Sequence, residues 1–275
     1  MLMIRISSPG RPTRLWRTAA VALAACVLAA CGSTPADDTA GMSTEKLYSE
    51  ARDEVEAGSF ERAIKLYERL EGRASGTLLG QQAQLERAYL LYRTGEKAQA
   101  LSVVERFMKL HPTSPAFEYA LYLQGVINFN DNLGLFGRLA KQDLSERDQQ
   151  ASRDSYQAFK QLVERFPQSQ YAPDARLRMT YIVNSLAAYE VHVARYYYRR
   201  GAYVAAANRA QQTVQEFQQS PAAEEALFLM ASSYDRLGLP ELRDDAERVL
   251  RQNFPDSEFL RGGLQDKQKP WWQVW

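Results

Sequence analysis

Apolar positions along this 275-residue chain recur at helical spacing, and the same punctuation interrupts them several times. Leu47 and Ala51, then Ala63, Ile64 and Tyr67, stand three or four apart, which places each set on one helix face. Four apolar-periodic runs end alike: Leu110-His111-Pro112-Thr113-Ser114, Arg165-Phe166-Pro167-Gln168-Ser169, Glu216-Phe217-Gln218-Gln219-Ser220 and Asn253-Phe254-Pro255-Asp256-Ser257. Proline lacks the backbone donor a helix needs, and the serine after it can cap the next helix. Gln218 is the one departure from proline at that place. A glycine precedes three of the stops at one constant interval: Gly95 before Pro112, Gly201 before Gln218 and Gly238 before Pro255. A tight turn can use the positive φ that glycine permits. Gly58, Ala63 and Ile64, shifted by 37, become Gly95, Ala100 and Leu101.

The unit is therefore helix, glycine turn, helix, proline stop, and it resembles the tetratricopeptide repeat. Helices are predicted over 44–57 and 60–71, 79–93 and 96–110, 116–129 and 149–165, 173–199 and 202–217, and 221–236 and 240–252. The fold class is all-α: a right-handed superhelical solenoid of about five tetratricopeptide-like pairs. Period-two Val-Ile-Thr runs are scarce, while Ala, Leu, Gln, Glu and Arg dominate, which is helical composition.

Two units depart from the rule. The interval from Pro112 to Pro167 exceeds the repeat spacing by about half a unit, so the third unit carries an insertion over 131–148. Leu133, Leu135, Phe136 and Leu139 make it either a binding loop or one folded back over its own helices. In the fourth unit nothing breaks the helix from Asp174 to Arg199, giving a length of roughly 39 Å. That helix either joins two halves of the solenoid or is a long core helix whose tyrosines snorkel.

Before the repeats lies a different segment. Arg5, Arg11, Arg14 and Arg17 precede a short Ala-Val-Leu run, and residues 1–30 contain no acid. This is an export signal, too short to span a bilayer as a helix. Leu-Ala-Ala-Cys occurs twice, ending at Cys26 and Cys31, and resembles a bacterial lipobox. Cys31 is the better candidate: it leaves a longer apolar run, and small Gly32 and Ser33 follow it. Residues 31–43 then form a lipidated flexible tether. Cleavage at Cys31 removes Cys26 and leaves no free thiol in the mature chain. By resemblance to other lipoproteins, Gly32 in place of aspartate points to the outer membrane. A plain secretory signal is the alternative.

The signal holds four of the 34 basic residues and none of the 33 acids, which leaves 30 against 33, a net charge of −3. Such balance excludes an electrostatic footprint for nucleic acid. The two histidines, His111 and His192, have no metal-ligand spacing and no cysteine near them, and His111 takes a place held elsewhere by phenylalanine. No nucleophile elbow, P-loop or dinucleotide fingerprint occurs, so no enzyme and no cofactor beyond the lipid on Cys31 is expected.

The lipobox, the repeats and the insertion together resemble the BamD (ComL) family of lipoproteins over essentially the whole mature chain. The resemblance rests on Arg106-Phe107-x-x-Leu110-x-Pro112-Thr113-x-Pro115 with Tyr119, Tyr122 and Gly125, on Arg147-Asp148, and on Phe166-Pro167-Gln168-Ser169-Gln170-Tyr171. Its most specific part is Ala194-Arg195-Tyr196-Tyr197-x-Arg199-Arg200-Gly201-Ala202-Tyr203-Val204-Ala205-Ala206-x-Asn208-Arg209. The resemblance implies a scaffold of the β-barrel assembly (BAM) complex, anchored to the outer membrane by N-palmitoyl and S-diacylglycerol groups on Cys31 and facing the periplasm. Its N-terminal repeats (44–130) would meet unfolded outer membrane proteins. Its C-terminal repeats (149–260) would dock a POTRA domain of BamA through Arg209 with Asn208, Arg199 and Tyr203, alongside other BAM lipoproteins. An Arg fork suits such a dock because it pairs bidentately with a carboxylate. A pilotin-type lipoprotein escorting a secretin or pilus component is the alternative. Where the family commonly turns on an aromatic-proline pair, this chain has Arg73-Ala74-Ser75-Gly76-Thr77-Leu78, which weakens residue-level transfer to a groove there. Trp271, Trp272 and Trp275 in the 261–275 tail suggest self-packing or a partner contact.

Overall fold

In the computed structural model, described for residues 39–129 and 146–262 with side chains from 149 in the second stretch, helices follow one another with no strand among them. They are α1 Thr44–Glu56, α2 Phe60–Arg73, α3 Leu78–Arg93, α4 Lys97–Leu110, α5 Phe117–Asn128, α6 Glu146–Arg165, α7 Ala172–Arg199, α8 Tyr203–Glu216, α9 Ala222–Arg236, α10 Pro240–Asn253 and α11 Glu258–Gly262. The chain divides into two compact units, Met1–Leu47 and Tyr48–Trp275. Of the first only the end is described: a turn in which the Met42 amide donates to the Thr39 carbonyl (3.0 Å), then Ser43, whose hydroxyl accepts from the Lys46 amide (3.2 Å). Cys31, most of the 131–148 insertion and Trp271, Trp272 and Trp275 lie outside the described residues.

In the second unit each helix from α2 to α10 packs on the next, α5 also meets α3, and α9 meets both α7 and α11. That is the neighbour-only contact pattern of stacked helical hairpins. The predicted turns form as read. Gly58, Gly95, Gly201 and Gly238 have φ of 77°, 89°, 76° and 71°, a region open to glycine at little cost. Five residues after the first three of these glycines, Ala63, Ala100 and Ala206 are fully buried, where small side chains let paired helices close up.

The stops recur atom for atom. The amides of Ser114, Ser169, Ser220 and Ser257 donate to the carbonyls of His111, Phe166, Phe217 and Phe254 at 3.1, 3.0, 2.9 and 3.1 Å. Each serine hydroxyl then accepts from the amide two residues on, at 3.1 to 3.3 Å. The serines thus fix the approach to the next helix instead of standing as its N-cap residue. Gln218 makes the same turn as the prolines, so the hydrogen bonds, not proline itself, define the stop. His111 packs on Phe107 with ring centroids 5.2 Å apart, as a packing residue should.

The third and fourth repeats are joined by Phe159 on α6, fully buried among Phe117, Leu121, Ile182 and Leu186. A Cβ on Gly125 would lie 2.4 Å from that ring, so glycine is what lets α5 and α6 touch there. The Ser155 hydroxyl donates to the Gly125 carbonyl (2.7 Å) across the same contact. The long helix α7 has 28 residues, about 42 Å. Its buried face (Ala175, Ile182, Leu186, Val191, Ala194) serves two successive core clusters, so it joins the halves.

Candidate functional site

Two places differ from ordinary repeat surface. The first is a groove of about 580 Å³ formed by α3, the turn before α5 and Tyr171. Leu78, which lines it, follows the turn that lacks the aromatic-proline pair. Gly76 (φ 80°) reverses the chain, and Thr77 caps α3 by accepting from the Gly80 amide (3.1 Å) while donating to the Ala74 carbonyl (2.7 Å). A Cβ on Gly80 would meet that carbonyl oxygen at 2.3 Å, so only glycine fits where this cap closes.

Glu86 and Glu118 line the groove with Tyr119 and Tyr171, whose ring centroids lie 5.5 Å apart. Gln82 reaches Tyr48, its amide donating to the phenol oxygen at 2.6 Å, and the Ser114 hydroxyl donates to the Gln81 carbonyl oxygen at 2.7 Å. Burial pushes the Glu86 carboxyl above its ordinary range, and Arg52 and a hydrogen bond with the Gln82 side chain offset this only in part. Burial, then Glu86, raises Tyr119 too. Beyond Tyr171 the aromatic wall continues. Tyr122 stacks on Tyr171 at 4.7 Å and donates to Asp174 (2.9 Å); Arg178 donates to the same carboxylate (2.6 Å) and lies 4.7 Å over Phe129.

The second place is on α7 and α8. Arg209 Nη1 donates to Glu190 Oε2 at 2.9 Å; the Glu190 side chain is 5% exposed and that of Arg209 43%. The pair sits in a repeat-wide register. Position 8 after the turn glycine faces position 11 before it, as when the Gln84 amide donates to the Val103 carbonyl in the second repeat (3.3 Å). The last repeat puts buried Leu227 and Ala246 there. An ion pair thus replaces an apolar contact that the fold would accept. Desolvation makes such pairs a poor source of stability, so another role is indicated.

Of the other sequence-predicted contacts, Tyr203 begins α8 and packs edge-on against Tyr198 at 5.5 Å. Asn208 is exposed and turned about 100° from Arg209 around the helix axis. Arg199, exposed, ends α7. Nearby, Arg195 on α7 grips Glu225 on α9 through Nε (2.6 Å) and Nη2. Glu190 was missed from sequence; the signal available was an acid at a register position that elsewhere holds Leu227. Glu86 and Tyr171 were missed as well, since the repeats that bring them together are separated by the insertion. Among the described residues no cluster of three or more His, Cys, Asp or Glu could hold a metal ion, and no helix is long and apolar enough to cross a membrane.

Fold and surfaces together define an all-helical repeat protein of the tetratricopeptide type. The YfiO family, described as outer membrane lipoprotein, matches residues 40–250. The chain belongs to this family, whose curated members include proteins named outer membrane protein assembly factor BamD. That of Neisseria meningitidis serogroup A is 46% identical over 93% of this chain and 96% of its own length. That of Xylella fastidiosa strain Temecula1 is 37% identical over 82% of this chain and 77% of its own. A solved tetratricopeptide repeat protein from Parabacteroides merdae is 17% identical, covering 89% of this chain and 76% of that one, with a TM-score of 0.37.

Proposed function

We propose that this chain is an outer membrane protein assembly factor that works as a non-enzymatic scaffold of the BAM complex. Lipid on Cys31, as N-palmitoyl and S-diacylglycerol groups, holds it to the periplasmic side of the outer membrane. The α3–α5 groove receives unfolded β-barrel proteins, while the α7–α8 surface docks a POTRA domain of BamA, with Asn208, Arg199 and Tyr203 around Arg209. Other BAM lipoproteins share the complex. One observation carries this reading: Arg209 is held half-exposed by a buried carboxylate where the last repeat has only the aliphatic contact of Leu227 and Ala246. A fork fixed at one edge meets a partner carboxylate with less entropy to lose.

The test is Arg209→Asp in the lipidated full chain, with BamA recovery from solubilised outer membranes as the readout. BamA should be lost, and many unrelated barrel proteins should fall together. Unchanged BamA recovery dismisses the dock, and selective loss of a single secretin favours the pilotin alternative.

A further inference from the structure

The last repeat ends on a face shaped for a helix but lined with charge. The repeat interval of 37 places Asp244, Glu247 and Arg251 of α10 where α8 has Ala207, Ala210 and Val214. Ala210 and Val214 pack with Ala226 and Leu229 of α9, the first helix of the next repeat. On α10 the matching residues, with Arg248 and Gln252, line an open hollow of about 470 Å³. A polar outer face suits a terminal repeat, yet here the start of a covering helix is present as well. Ser257 makes the repeat's stop, and Phe259 stands 37 after Ala222, the first residue of α9. Phe259 also stacks on Phe228 of α9, with centroids 5.3 Å apart. α11 then ends at Gly262, and a second glycine follows it in sequence.

The hollow and the sequence beyond α11 match in chemistry. Arg248 and Arg251 have side chains 65% and 64% exposed, each paired along one edge, to Asp245 (2.8 Å) and Glu247 (3.1 Å). A guanidinium held by its edge keeps a flat face for an indole, the ring on which a cation rests best. Residues 263–275 bring three indoles, Trp271, Trp272 and Trp275, and two cations, Lys267 and Lys269, to suit the carboxylates of Asp244 and Glu247. Thirteen extended residues reach about 43 Å, against roughly 21 Å for the length of α10, so all of the hollow is within range. Independently of the function proposed above, we propose that residues 263–275 fold back over α10 of the same chain, their tryptophans resting on Arg248 and Arg251. The tail then takes the seat of a sixth repeat's first helix and closes that end of the stack.

Tryptophan fluorescence of the mature lipidated chain in detergent tests this without a label. Trp16 leaves with the signal, so the three tail residues are then the only tryptophans. Emission should lie to the blue of free tryptophan in water, be weakly quenched by acrylamide, and stay constant on dilution. Arg248→Gln with Arg251→Gln should weaken docking roughly tenfold, as two lost cation–π contacts allow. The readout is a red shift and stronger quenching, with helical circular dichroism unchanged. Arg248→Lys with Arg251→Lys keeps both cations and should restore most of the parent spectrum. Parent emission at the wavelength of free tryptophan would put the tail in water and overturn the proposal. Blue emission that both double variants leave untouched would put it in the micelle, and blue emission lost on dilution would put it on a second copy; either overturns the proposal too.

Discussion

The α7–α9 surface and the α3–α5 groove hold half-buried acid differently. On α7–α9 two glutamates are clasped by arginines, Glu190 by Arg209 and Glu225 by Arg195. In the α3–α5 groove Glu86 has no arginine or lysine beside it in the lining, and its proton affinity is raised by burial. A clasped acid holds an arginine in a fixed, half-exposed place, whereas Glu86 keeps a carboxyl that burial disfavours as an anion. On the proposed function, one kind of helix pair would serve as a dock in one region and line a groove in the other.

The largest effect should come from cutting the joint between these regions. Phe159→Ala removes the fully buried ring between the third and fourth repeats and should cost about 3–5 kcal/mol. Because stacked repeats touch only their neighbours, denaturant unfolding followed by circular dichroism should then show two steps. A single transition with a small shift would mean the halves are held together by something other than this cluster.

Next in size is the dock. Arg209→Ala strands the carboxylate of Glu190 in a site that excludes water, and should cost about 2 kcal/mol, less than a fully buried pair because Arg209 is half-exposed. Pairing Arg209→Ala with Glu190→Leu restores the apolar contact of the last repeat and should return stability to the parent level or above. BamA recovery should stay lost in the double variant. A stable double variant that still recovers BamA would separate the ion pair from docking altogether.

A smaller effect tests whether the halves share one turn. Gly95→Ala and Gly201→Ala put a side chain at φ of 89° and 76°, with nothing within 4 Å to collide with. Only the left-handed backbone is penalised, so each should lose about 1 kcal/mol in the same denaturant titration. Unequal losses would show that the turns differ in more than dihedral angle.

Much of this architecture is legible in the residues themselves, and the reasons are physical. A glycine at a constant interval ahead of an aromatic-proline stop specifies a helix length, so the helix ends fell within three residues of prediction. Gln218 was readable as a stop only because Phe217 and Ser220 flank it, and those two supply the hydrogen bonds. Arg209 stood out through family resemblance, not through any local pattern. Glu190 was hidden because a lone acid on a helix reads as solvated until its register partner on the following helix is known. The groove was least legible. Tyr122 meets Asp174 across 52 residues of sequence, and the insertion between them breaks the spacing that relates one repeat to the next.

The smallest expected effect belongs to Glu86, and its sign is the informative part. Burial raises this carboxyl above its ordinary value of 4.5, so the folded protein holds the proton more tightly than the unfolded chain does. The protonated form favours folding. Its contribution is complete below 4.5 and is lost as pH rises through the higher folded value. At pH 7 burial therefore disfavours the ionised form of this group in the folded protein. Glu86→Gln, uncharged at every pH, should melt slightly higher than the parent at pH 7, and the gap should close as pH falls below 4.5. The groove and the dock should diverge here, because Glu190→Gln breaks a clasped pair and lowers stability at pH 7. Stabilisation by both substitutions, or by neither, would erase the contrast between an acid that burial disfavours and one spent on holding an arginine.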